Sequence, residues 1–364
     1  MTTFYIVYEI LILFLLSYLS IMIKNKSLTF IIMFYGLIIV SFFYGFREIV
    51  IYNPQGFTTD SFRYMNWFYE IKTIDDVFYG SSSWKADYFF FLIAYVVHNF
   101  TNNHNIYFFV NSILSFSILV LGYYKLIGKK YFYFMPLILL FLVCSSTVVA
   151  NYGNLLRQGL ALSLFILSLS FMLEKKYFIG YFLLFIAIFT HKSTIIFILI
   201  YFMVFNINIP IRYYLYIFTI SVPFIFINIF NFIPINFNIS ILQKLSTYQE
   251  STSRMLLYKS IILTLLFLLF YRFRINNLKY TFILKIYIIL LVISFFLFKI
   301  EIISGRLLYY PSILIPYFLF EYIKNTNKKD ITFFVFTIFS VAYFIIIYEF
   351  SSTFQTILIK NNIF

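Results

Sequence analysis

A succession of long, nearly uncharged apolar runs, repeated from one end of the chain to the other, constrains the fold more than any single motif. The runs fall at about 4–23, 28–46, 107–124, 132–150, 158–173, 177–190, 193–209, 213–230, 256–271, 280–298, 307–323 and 331–348, each bounded by charged or polar clusters. Roughly 20 apolar residues in a helix cross the hydrocarbon layer of a bilayer, where a backbone must satisfy its own hydrogen bonds. The 364 residues are 63% hydrophobic and 11% charged, too much apolar surface for any water-soluble domain to bury. The sequence therefore predicts an all-α polytopic membrane protein: one transmembrane domain over 1–364 with about twelve spans. Its first run lacks a basic leader and a small-residue cleavage site, and reads as a retained span.

One further run, 88–100, would reach only about 20 Å as a helix, so it is expected to be re-entrant or interfacial. Leaving it out of the crossings, with the N-terminus outside, puts fourteen of the 27 basic residues in short inner loops, as the positive-inside rule requires. The net charge, 27 − 13 = +14, is then a topological signal and not a nucleic-acid footprint. Two longer polar segments remain on the outer side. The first, 47–106, should carry juxtamembrane amphipathic helices; the second is 231–255. The lone Cys144 excludes disulfides and cysteine metal sites. Spacings for metal, nucleotide or nucleophile-elbow motifs are absent, so neither a metal nor a cofactor is expected.

Three outer constellations could carry chemistry. From Arg157 the chain descends one apolar run to Glu174-Lys175-Lys176 and climbs another, which returns His191 to the depth of Arg157. A guanidinium grips phosphate oxygens in pairs, and an imidazole exchanges protons near neutral pH. Equally, Arg157 could snorkel to headgroups and His191 mark the interface. Arg306 opens a late run beside Gly305, a site of close backbone approach; Tyr309 lies one turn inward, and Glu301 is placed to orient the guanidinium. Asp60, near Arg63, stands above Tyr64 and Phe68 on one helical face, either as a base or sugar-orienting acid or as part of an N-cap with Thr58 and Thr59.

The stretch Asn154, Arg157, Gln158, Ala161, then Phe189, His191, Lys192, Ser193, resembles the EpsG-like branch of the bacterial O-antigen and exopolysaccharide polymerases (Wzy). So do Arg47 followed by Asp60, Tyr64 and Phe68, and the late Gly305, Arg306, Tyr309. In one departure, Gly56 lies four residues before Asp60 where the family pattern places Gly about two before.

The resemblance implies transfer of a growing glycan from undecaprenyl pyrophosphate to the non-reducing end of a lipid-linked repeat unit. The expected site faces the periplasm at the bacterial inner membrane, in an architecture compatible with a GT-C-like fold and serving lipopolysaccharide or other polysaccharide biosynthesis. It implies His191 and Asp60 as catalytic residues and Arg157, Arg306 and Arg254 as pyrophosphate ligands, with Arg47, Arg63, Gln158, Tyr64, Glu301 and Tyr309 in support. The expected partners are lipid-linked oligosaccharides as donor and acceptor, the bilayer, and a chain-length regulator, with no nucleic acid. The alternatives are a lipid-linked oligosaccharide flippase or other transporter, and a membrane O-acyltransferase.

Overall fold

The computed structural model describes residues 2–47, 49, 51, 59–79, 87–207, 209–226, 254–272 and 277–325. Run 331–348, Glu48, Gly56, Trp84 and all of 231–255 except the last two positions lie outside them. Every element among the described residues is helical, and the protein is an all-α polytopic membrane protein. The helices are α1 (Thr2–Ile23), α2 (Lys26–Gly45), α3 (Asp60–Glu70), α4 (Ile74–Tyr79), α5 (Tyr88–His98), α6 (His104–Ile127), α7 (Met135–Val143) and α8 (Ser146–Gly153). They continue as α9 (Leu156–Leu173), α10 (Tyr177–Thr190), α11 (Ile196–Tyr201), α12 (Ile211–Ser221), α13 (Arg254–Arg272), α14 (Leu278–Phe296), α15 (Glu301–Leu307) and α16 (Tyr309–Asn325).

By length and composition, α2, α6, α9 and α14 can each cross a membrane. The run expected at 132–150 is instead broken: Lys129–Val143 and Thr147–Gly153 meet at 76°, a broken span or a re-entrant loop. Cys144 and Ser145 lie in the break, and Ser145 is the extended residue preceding α8. The run at 193–209 is also divided, into a 3₁₀ turn (Lys192–Ile195), α11 and a π-helical stretch (Phe202–Asn206). The described chain divides into two compact units, one running to Ile196 and including residues 323–325, the other Phe197–Tyr322.

In the first unit α9 packs along both α6 and α10, and α2 along α6. Glycines permit the closest approaches. A Cβ on Gly45 would fall 2.6 Å from Phe109 Cα, and one on Gly122 2.9 Å from the backbone nitrogen of Leu167. One end of this bundle is basic. There Lys125 Nζ lies 2.9 Å from both Glu174 oxygens, Lys176 pairs with the same carboxylate at 3.1 Å, and Lys24 stands over the Tyr133 ring.

The opposite end carries an aromatic layer. With 11 residues, α5 is roughly 16 Å long, too short to cross. It buries Phe90, Phe91, Ala94 and Val97 in a cluster shared with Tyr64, Phe68, Tyr107, Phe108, Leu156 and Ala187. Helix α3 buries Ser61, Tyr64 and Phe68, the i, i+3, i+7 stripe of an amphipathic helix, and packs on α5 and α6. Helices α3 and α5 thus lie over the ends of α2, α6, α9 and α10, and those ends hold most of the residues singled out in the first unit.

Candidate functional site

Thr59 begins α3: its hydroxyl accepts the Phe62 amide at 3.2 Å, so the N-cap is Thr59 and not Asp60. Asp60 occupies the first turn and pairs with Arg63 at 3.5 Å. Ser61 ties the helix down. Its hydroxyl donates to the Gly153 carbonyl at 2.9 Å, and its amide donates to Asn154 Oδ1 at 3.2 Å. Arg47, 3% exposed at the end of α2, donates Nη2 to Ser61 Oγ at 2.9 Å and Nη1 to the Tyr44 carbonyl, with its guanidinium over the Phe108 ring. Arg47 is therefore buried as a strut between α2 and α3.

Arg157 stands on the first turn of α9 beneath this layer. Its guanidinium lies 5.3 Å from the Tyr64 ring centre and 5.1 Å from that of Trp67, and Nε donates to the Tyr64 hydroxyl at 3.4 Å. Nη1 pairs with Asp87 Oδ2, and the Asp87 carboxylate is 2% exposed. Its other oxygen, Oδ1, accepts the backbone amide of Lys192 at 3.3 Å. One carboxylate thus joins the start of α9 to the residue after His191. Burial pushes the Asp87 carboxyl above the usual carboxylate range, while Arg157 and the Lys192 amide oppose that rise. Asp60 lies near enough for its charge to act on Arg157 as well.

The motif residues around Arg157 have separate tasks. Asn154 receives Ser61, Gln158 is 2% exposed, and Ala161 is fully buried against the bundle. His191 is the extended residue closing α10, half-buried, with its carbonyl accepting the Thr194 hydroxyl at 2.8 Å. Asp87 and Trp67 were not among the sequence candidates. Among the described residues no three His, Cys, Asp or Glu side chains converge as a metal ion would require.

Arg306 belongs to the second unit, on α15, and Tyr309 begins α16 after a break at Leu308. Arg306, expected to open the run at 307–323 with Tyr309 one turn inward, and Tyr309 therefore lie on two helices. Nor is Gly305 crowded by backbone: a Cβ there would meet only Leu256 Cδ1 at 3.7 Å among the described residues. Arg254 and Glu301 are the first residues of α13 and α15.

Fold and site together define a polytopic membrane protein whose charged and aromatic residues gather where its helices end. The chain belongs to the EpsG family, whose model matches residues 49–360. That membership supports a role of glycan-polymerase type in polysaccharide biosynthesis. No curated protein and no solved structure matches the chain.

Proposed function

We propose that the protein is a membrane glycosyltransferase that polymerises lipid-linked repeat units at the outer face of the bacterial cytoplasmic membrane. It passes the growing glycan from undecaprenyl pyrophosphate to the non-reducing end of the next unit. The observation that carries this reading is the setting of Arg157. A guanidinium has five N–H donors; Asp87 and the Tyr64 hydroxyl use two, and the Arg157 side chain keeps 17% exposure at the head of its helix. Three donors, flanked by two aromatic faces, remain for the oxygens of a pyrophosphate, which a planar fork suits better than an ammonium would.

In the transfer, an acceptor hydroxyl oxygen attacks the anomeric carbon, the bond from that carbon to the pyrophosphate oxygen breaks, and the hydroxyl proton passes to a base. Negative charge grows on the departing pyrophosphate, and a fixed guanidinium stabilises it there more than in the ground state. Asp87 holds Arg157 in place, while His191 or Asp60 takes the proton. No step in this scheme requires a metal. Purified protein given a single undecaprenyl-pyrophosphate-linked repeat unit should convert it to longer lipid-linked glycans and release undecaprenyl pyrophosphate; products of unchanged length would refute the reading.

A further inference from the structure

We propose that the basic end of the first unit binds the headgroup of an anionic phospholipid, held by Lys24, Lys130 and Lys324 around the rings of Tyr131 and Tyr133. Gly128, at φ +86°, turns the chain out of α6 into a 3₁₀ stretch, Lys129–Phe134, that packs against α1, α2, α6 and α7. Two anchors fix it there. Phe134 is buried, and the fully buried Ser20 donates its hydroxyl to the Tyr133 carbonyl at 3.1 Å while lying 2.8 Å from the Thr29 hydroxyl. Tyr131 and Tyr133, 6.4 Å apart between ring centres, stay partly exposed, as aromatic side chains at a membrane–water boundary do.

Three lysines from distant parts of the chain meet these rings. Lys24, in the turn between α1 and α2, places its ammonium 5.9 Å from the Tyr133 ring centre; Lys130 and Lys324 place theirs 5.8 and 5.2 Å from that of Tyr131. The positive-inside rule asks for basic residues near this end, but not that they gather: like charges repel, and cation–π attraction leaves each charge in place. On the same end Lys125 and Lys176 show the other arrangement, both answered by Glu174. No acidic residue stands between Glu9 and Glu48 or between Asp87 and Glu174, so neither the α1–α2 turn nor the 3₁₀ stretch brings a carboxylate of its own. An anion from outside the chain answers the cluster. Compact ammonium donors and phenolic hydroxyls suit phosphodiester oxygens, and basic pockets between membrane helices on the cytoplasmic side take lipid headgroups. The site lies at the end of the bundle opposite Arg157, so its ligand is a lipid of the inner leaflet and neither donor nor acceptor; it does not depend on the polymerase reading.

The test is a titration of phosphatidylglycerol, phosphatidylcholine and free glycerol phosphate into the full-length protein in detergent, with bound ligand counted by native mass spectrometry. Phosphatidylglycerol should bind about tenfold tighter than phosphatidylcholine. Replacing Lys24, Lys130 and Lys324 together by Gln should raise its Kd about tenfold or more and erase that preference, with phosphatidylcholine unchanged; the triple Arg variant should stay within about threefold of wild type. Lys130→Gln alone alters an exposed side chain, which guards against misfolding of the triple variant, and should raise the Kd about threefold. Lys176→Gln, which leaves Lys125 on Glu174, should change nothing. Equal phosphatidylglycerol affinity in wild type and both Gln variants would overturn the site. Glycerol phosphate should bind far more weakly, and binding as tight as the lipid's would overturn the assignment to a lipid. A loss in Lys176→Gln as large as in Lys130→Gln would overturn the location at the two rings, leaving only the general charge of this end.

Discussion

Asp87 binds Arg157 across 70 residues of sequence, and the same carboxylate accepts the amide of Lys192. The residue ahead of α5 thereby fixes the guanidinium and the end of the His191 helix at once. Asp87→Asn keeps the shape of the side chain but removes its charge, and we expect polymerisation to fall by about 10- to 100-fold through loss of Arg157 orientation. Membrane insertion should be unchanged. Turnover measured with saturating lipid-linked substrate separates this from a binding defect; wild-type turnover would count against a positioning role for Asp87.

The same pair sets a pH dependence. Burial raises the Asp87 pKa, so as pH falls the carboxylate takes up its proton above the ordinary carboxylate range and releases Arg157. Activity should therefore decline on the acid side at a higher pH than an exposed aspartate would give, and Asp87→Asn should lack that limb. A pH–rate profile from pH 4 to 8 reads both, and an identical acid limb in the two proteins would contradict the assignment.

Asp76 works in the opposite direction. Its Oδ2 accepts the amide of Thr73 at 2.7 Å, the amide of Lys72 at 2.9 Å and the Thr73 hydroxyl at 2.9 Å, and these bonds hold its pKa below the usual value. Its contribution is present above the unfolded-state pKa and lost as pH falls through the lower folded one. The protection factor of α4 amides, taken against intrinsic exchange at the same pH, should fall on acidification in the wild type, and Asp76→Asn should already show low protection at neutral pH. Equal protection in both would show that the turn does not hold α4.

Close helix approach makes a stability prediction. Since a Cβ on Gly45 would lie 2.6 Å from Phe109 Cα, Gly45→Ala must part α2 from α6, at a cost of about 1–3 kcal/mol. The thermal midpoint in detergent should drop. Gly128→Ala is a useful contrast, because nothing lies near its Cβ and only its φ of +86° opposes the change. An unchanged midpoint for Gly45→Ala would mean that α2 and α6 do not pack as described.

The apolar runs were legible because membrane spans advertise themselves by length, and the hairpin joining Arg157 to His191 was legible because two such runs flank a basic turn. Asp87 was not, since its partner is 70 residues away and nothing local to an aspartate before an aromatic stretch reveals burial. The break at Cys144 and Ser145 left no proline or glycine to signal it, and hydropathy alone runs straight through. Arg47 illustrates the reverse case: the motif drew attention to the residue, but only packing shows it spending its hydrogen bonds on Ser61 and Tyr44.

His191 and Asp60 divide the remaining catalytic question. If His191 is the base, His191→Gln keeps a polar side chain yet removes the titrating group, and turnover should fall by about 10²–10⁴. Asp60→Asn should then cost much less. Near-normal turnover in His191→Gln, with its pH profile unchanged, would pass the role to Asp60.

The most direct measurement is chain growth from a defined undecaprenyl-pyrophosphate-linked repeat unit by purified wild type and Arg157→Lys, scored as glycan length against time. Lysine keeps the positive charge but cannot reproduce the fork that meets Asp87, Tyr64 and a pyrophosphate together. We expect a ladder of long products from the wild type and a loss of about 100-fold or more in Arg157→Lys at equal protein and an equal melting midpoint. A normal ladder from Arg157→Lys would contradict the central claim that this guanidinium receives the leaving pyrophosphate.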